Sequence, residues 1–251
     1  MNTQQQKQFK VLLIGDNCKD IYQYGTVDRI SPEAPVPVFV LSHKEERDGM
    51  AGNVFNNLES MGIEVNYLFG ETSTKTRILD SRSKQQIVRI DNDVRSDPIQ
   101  IESELPNYDA IVISDYNKGT VSYELIEDLR KEYTGPIFVD TKKTDLARLE
   151  GCIIKINSLE FSRLTSKPTD QTSLIVTHGD KGVVCGQNFA AAHTVEVADV
   201  CGAGDTFLAA LTFRYLDNSG DLWEAVKFAN KASSITVQHL GVYAPTLEEI
   251  V

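Results

Sequence analysis

The heptapeptide Cys201-Gly202-Ala203-Gly204-Asp205-Thr206-Phe207 sets two glycines and an aspartate at the mouth of an apolar run. Glycines let the backbone turn tightly and aim successive N–H groups into one small volume. Residues 207–216 follow with apolar side chains at helical spacing on one face. A glycine turn opening a helix makes an anion site at the positive end of the helix dipole. A carboxylate beside such a site is electrostatically awkward unless it does chemistry. As a general base, Asp205 would take a proton from an alcohol while the N–H groups of Ala203, Gly204 and Asp205 neutralise a phosphoryl group in transfer. That cradle, as read here, is built of peptide amides and lacks any lysine. The alternative is a plain glycine turn with Asp205 capping the helix.

Two further segments bring polar groups to the ends of apolar runs. Asn157-Ser158-Leu159-Glu160 carries an amide and a carboxylate three apart. On the first turn of a helix these share a face and can hold magnesium through its water; simple capping by Asn157 is the alternative. Thr177-His178-Gly179-Asp180-Lys181-Gly182 is a strand end followed by a tight turn, suited to a nucleotide's phosphates or ribose. It reads equally as a hairpin turn between strands 174–178 and 182–186. Other chemistries are excluded. Gly-Lys never occurs, so there is no lysine-bearing phosphate loop, and Ile14-Gly15-Asp16-Asn17 puts an acid where a dinucleotide site needs glycines. The four histidines lie too far apart in sequence for structural zinc, and no G-x-S-x-G elbow occurs.

The elements that must position these groups alternate. Apolar runs at residues 11–15, 110–114, 137–140, 153–157 and 174–178 read as buried strands, and residues 52–61, 121–132, 205–217 and 222–238 as helices. In the last helix Asp221 stands as N-cap with Glu224 three residues on, resembling a capping box. This order predicts an α/β fold, a mostly parallel sheet with helices on both faces. Ligands in such sheets sit beyond the carboxyl ends of the strands, which selects Asp16, Asp115, Asp140, Asn157 and Thr177. Two regions break the rhythm. Residues 22–42 contain Ser31-Pro32-Glu33-Ala34-Pro35-Val36-Pro37-Val38, which allows only loop or edge strand. Residues 77–81 and 85–91 suggest a hairpin around Ser81-Arg82-Ser83-Lys84. Together they predict a small β-lid.

At 251 residues, 41% hydrophobic and 24% charged, the chain suits one α/β domain over residues 1–251. A net charge of −11 argues against nucleic acid or an anionic membrane as partner, but not against a nucleotide. Four scattered cysteines read as free thiols in a reducing compartment. The start is polar, with residues 1–8 expected as a loose tail, and no apolar run reaches the length of a membrane span; a cytoplasmic protein is expected.

These residues resemble the ribokinase-like (PfkB) carbohydrate kinases, and within them the heptose 7-phosphate kinases of lipopolysaccharide precursor synthesis. Gly202-Ala203-Gly204-Asp205 is similar to that family's anion hole and catalytic base, and Asn157-x-x-Glu160 to its magnesium and phosphate motif. Asn230 falls where the family places a residue near adenine. Gly49-x-x-x-Asn53 resembles the sugar-binding glycine motif, and Asp16 the first-strand acid that binds sugar hydroxyls. The subfamily likeness lies in residues 29–38, in Thr76-Arg77 and residues 85–91, and in Ser114-Asp115-Tyr116-Asn117-Lys118-Gly119. It implies a three-layer α/β/α sandwich and an ATP- and Mg2+-dependent kinase acting on heptose 7-phosphate. Thr177, Gly179, Gly202, Gly204, Asn157 and Asn230 would lie at the nucleotide, Asp16, Gly49, Asn53, Arg77 and Lys118 at the acceptor. Arg77, Arg82, Arg89 and Lys118 are candidate cations for an acceptor phosphate, Arg77 first, and an exposed lid edge favours a homodimer. Alternatives are a catalytically weak sugar-phosphate or nucleotide sensor, or a kinase for another sugar or nucleoside. Met50 and Gly52 alter the glycine run before Asn53, Cys201 stands for a threonine, and His178 for an arginine, whose charge Lys181 or another cation would have to supply. Residues 62–76 and 160–174 are shorter than in the family, and no fused nucleotidyltransferase domain is expected before Val251.

Overall fold

Along the first strand Val11 and Leu13 face one side of a sheet and Leu12 and Ile14 the other, all fully buried. An apolar run with both faces covered is the mark of a strand between two helical layers. The computed structural model describes residues 8–101 and 105–251, and the expected tail, apart from Gln8, lies outside them. On one face α1 (Ala51–Ser60), α4 (Ala203–Asp217) and α5 (Leu222–Thr236) pack against Val11, Leu13, Phe138, Ile153 and Ile175. On the other, α2 (Tyr123–Glu132) and the turn at Leu146–Leu149 cover Leu12, Ile14, Ile113, Val139 and Ile154. The layered α/β/α arrangement therefore follows from period-two burial on every central strand.

The main sheet is parallel through β3 (Glu64–Asp80), β1 (Lys10–Ile30), β5 (Ala110–Asp115), β6 (Ile137–Thr141), β7 (Ile153–Asn157) and β8 (Leu174–Thr177). It ends in antiparallel β9 (Val183–Cys185) and β10 (Asn188–Ala190), so residues 177–183 do form a hairpin turn. The lid is an outgrowth of the same sheet. β1 and β3 run on past the core, joined antiparallel by β2 (Pro37–Met50) on one side and β4 (Gln86–Asn92) on the other. Ser31–Val36 forms the turn, with Pro37 at the first position of an edge strand, where a missing N–H costs nothing. One register shift separates core from lid: between Gly15↔Phe69 and Asn17↔Thr72, β3 carries an extra residue.

Several boundaries differ from expectation. The first strand does not stop at residue 15, and residues 64–76 are strand as well. α2 starts at Tyr123 because the Ser122 hydroxyl accepts from Leu125 N. Asp221 caps α5 by accepting from Glu224 N, but its own N–H donates to Asn218 Oδ1, so the box is not closed. All four cysteines are free. Among the described residues no helix is long and apolar enough to cross a membrane.

Candidate active site

Gly202 takes φ 77°, the left-handed conformation that glycine tolerates, and a Cβ on it would lie 2.7 Å from Asn53 Nδ2. The chain thereby turns into α4 with its first amides exposed. Ala203 N–H makes a long contact of 3.4 Å to Val200 O. The N–H groups of Gly204 and Asp205 have no acceptor among the described residues, as the first turn of a helix leaves them.

Asp205 is buried, and each carboxylate oxygen has one protein donor. Asn53 Nδ2 donates to Oδ2 at 2.8 Å and the Tyr116 hydroxyl to Oδ1 at 3.0 Å. Burial pushes the Asp205 carboxyl up to about 6; the Asn53 hydrogen bond works the other way, and the Asp140 charge adds to the rise. Burial and the Asp205 charge hold the Tyr116 hydroxyl well above its ordinary range, so it remains a donor. Asn53 is itself oriented: Asn57 Nδ2 reaches its backbone O at 2.7 Å, and Thr206 Oγ1 fixes Asn57 Oδ1 at 2.8 Å.

Around Asp205 lies a polar cleft of about 120 Å³, lined by Asp115, Tyr116, Asp140, Lys142, Lys155, Asn157, Glu160, Gly202 and Gly204. It brings together strand ends that are far apart in sequence. Lys155 Nζ sits 2.7 Å from Asp140 Oδ2, and a Cβ on Gly204 would be 2.8 Å from that Nζ. The cradle is therefore not lysine-free. The signal was there, a single lysine inside the apolar strand Ile153-Ile154-Lys155-Ile156, but its neighbour at Gly204 is a matter of tertiary packing. On the other side of Ala203 and Gly204 opens a cavity of about 640 Å³, lined also by Thr177, Gly179, Val195, Val197, Asn230 and Val237.

The model of the pfkB family of carbohydrate kinases matches residues 48–249. The chain belongs to that family. The carbohydrate kinase is 33% identical to the bifunctional protein HldE of Nitratiruptor sp. over 299 aligned positions, covering 96% of this chain and 64% of the relative. It is 32% identical to HldE of Pasteurella multocida, covering 97% of this chain and 63% of that one. The chain thus spans under two thirds of these relatives, and 299 aligned positions against 251 residues mean that they carry residues it lacks. Solved structures agree on the fold. A ribokinase from Thermotoga maritima superposes with TM-score 0.66 at 18% identity, covering 96% of this chain and 98% of its own. Phosphofructokinase-2 from Escherichia coli does so with TM-score 0.69 at 16% identity, covering 97% of each chain. The fold is ribokinase-like.

Within the kinase the other expected residues divide. Thr177, Gly179 and Asn230 line the large cavity, with Asn230 Nδ2 donating to Ala191 O at 2.8 Å; Lys181 lines neither cavity. Asp16 is committed to backbone: it accepts from Tyr116 N at 2.8 Å, Lys118 N at 3.0 Å and Thr120 N at 3.3 Å, so it holds the loop bearing Tyr116. A Cβ on Gly49 would lie 2.3 Å from Asp20 Oδ2, an acid the sequence reading missed. Asp20 pairs with Arg77, and the Arg77 and Arg47 guanidiniums lie 5.2 Å and 5.1 Å from the Tyr22 ring centre. None of the four candidate cations is free. Lys118 pairs with Asp93, Arg82 with Asp28 and Arg89 with Asp91.

Asn157 and Glu160 close a capping box at α3 (Ser158–Ser162): Glu160 N donates to Asn157 Oδ1 at 2.9 Å, and Asn157 N to Glu160 Oε2 at 2.8 Å. Lys142 Nζ adds 3.0 Å to Glu160 Oε1. Oxygen donors with lone pairs to spare suit a magnesium ion that keeps its water, and these fit one held through water rather than by direct ligation.

Proposed function

We propose that this kinase transfers the γ-phosphoryl group of ATP to a hydroxyl of a sugar phosphate, heptose 7-phosphate giving heptose 1,7-bisphosphate, with Asp205 as general base. The observation that carries this reading is a buried carboxylate, held by Asn53 and Tyr116, directly beside two unpartnered amides. With a pKa near 6 the carboxylate is ionised at neutral pH yet basic enough to accept a proton. The acceptor hydroxyl gives its proton to Asp205, its oxygen bonds to the γ-phosphorus, and the bond from that phosphorus to the bridging oxygen breaks to release ADP. The Gly204 and Asp205 amides meet charge on the moving group. The apolar cavity takes the base and ribose, with Asn230 at the adenine and Thr177 and Gly179 nearer the ribose and phosphates. Bound magnesium would neutralise phosphate charge, held through water by Asn157 and Glu160.

The likeness to HldE and the lid chemistry support the phosphorylated acceptor. In this reading Asp16, Gly49, Asn53, Arg77 and Lys118 serve the acceptor, and Arg47 and Arg77, both beside the Tyr22 ring, would have to exchange their carboxylate partners Glu45 and Asp20 for the acceptor's phosphate. The exposed lid residues Ile30, Val40, Leu41 and Ile90 support lid-to-lid pairing of two copies; a monomeric mass by light scattering would remove that part. ADP release measured over heptose 7-phosphate, ribose, fructose 6-phosphate and a nucleoside tests the acceptor. Heptose 7-phosphate is expected to give the highest kcat/KM, and a higher value on any of the others overturns the assignment.

A further inference from the structure

We propose that Lys155 is a fixed cation of the transfer site, its Nζ contacting the terminal phosphate of bound nucleoside triphosphate beside the Gly204 and Asp205 amides. The inference rests on transfer occurring at Asp205, and on no particular acceptor. Period-two alternation on β7 puts Lys155 on the same face as Ile153, the face covered by α4. Asp140 is its cross-strand partner on β6, so the two side chains stand together directly beneath the glycine turn. Lys155 is 4% exposed. An ammonium carries three donors, and among the described residues its one hydrogen bond is to Asp140. Burial opposes its charge, but the Asp140 carboxylate outweighs that and holds the lysine above its ordinary value.

A buried lysine tied to one carboxylate is a poor stability device, since such pairs roughly break even against apolar side chains. Its position explains it better. Asp115, Asp140, Glu160 and Asp205 all line the cleft, and an incoming phosphate would be repelled by that array without a fixed positive charge. Lys142 also lines the cleft, but it is half-exposed, paired with Glu160 and set over the Tyr116 ring at 4.7 Å, whereas Lys155 is buried and fixed. Lys155 lines the cleft with Asp205 and not the large cavity, which assigns it to the transferred group rather than to the base, the ribose or the phosphates that stay with ADP. It keeps its proton throughout, and Asp140 anchors it.

The test is calorimetric binding of ADP and of the β,γ-imido analogue of ATP, each with magnesium, to the whole protein and to Lys155→Met. The variant is expected to lose about tenfold or more in affinity for the analogue while ADP affinity changes less than about threefold, the size of a lost charge-assisted bond. Equal losses for both ligands, or none for either, overturn the proposal. If Lys155→Met does not fold, the same comparison on the double variant Asp140→Asn/Lys155→Met, which removes both charges, decides it. Absence of turnover on heptose 7-phosphate would count against the acceptor while leaving this binding comparison intact.

Discussion

The two hollows that meet at Gly204 are built on opposite plans. The smaller is crowded with charge, and Asn53, Tyr116, Lys142, Lys155 and the α3 capping box fix its carboxylates by hydrogen bonds. The larger has Val195, Val197, Val200, Phe207 and Val237 in its walls and works by shape. Under the proposed function the contrast separates binding from bond-making: apolar walls serve ground state and transition state alike, whereas groups aimed at developing charge favour the latter.

The sharpest way to break that separation is Asp205→Asn. Turnover is expected to fall about 10²–10⁴-fold while ATP affinity by calorimetry stays within a few fold. The same variant has a stability signature. Because burial raises the Asp205 pKa to about 6, from an ordinary 3.8, its contribution to folding is fully present below pH 3.8 and lost as pH rises through 6. Asparagine does not ionise, so above pH 6 the variant should be the more stable protein, by about 2–3 kcal/mol in urea unfolding. A less stable variant at pH 8 would mean that the carboxylate is not strained by its burial.

Asn53→Ala comes next in size. Loss of its hydrogen bond removes an influence that lowers the Asp205 pKa, so the acid limb of kcat/KM should move to higher pH, with turnover at neutral pH down about tenfold. An unmoved limb would sever Asn53 from the base. Smallest is Asn230→Ala on the apolar side: KM for ATP should rise a few fold with kcat unchanged, as for a contact made equally before and during reaction. A fall in kcat instead would blur the line between the hollows.

Much of this was legible in residue order. The glycine turn before Asp205, the polar strand ends and the Ser81–Lys84 hairpin follow from local rules that hold without tertiary information. What escaped was contact across the fold. Tyr116 and Asp205 are 89 residues apart and Asn53 and Asp205 are 152 apart, so neither pairing leaves a periodic trace. Arg77 read as a free cation because Asp20 meets it only through the β1–β3 register. Met50 shows the converse: a buried methionine at the N-cap of α1 takes a φ of 53°, a glycine-like conformation that its residue type does not announce.

β1 and β3 run without interruption from the buried interior to the tip of the lid, with a single offset level with Asp16. A cover attached by loops swings freely, but one continuous with the scaffold must flex as a leaf spring. If the acceptor binds under the lid as proposed, its pressure is transmitted along two hydrogen-bonded rails to the offset, where Asp16 grips the loop that carries Tyr116. On that proposal, capture of the acceptor and alignment of the proton-accepting group share one mechanical element.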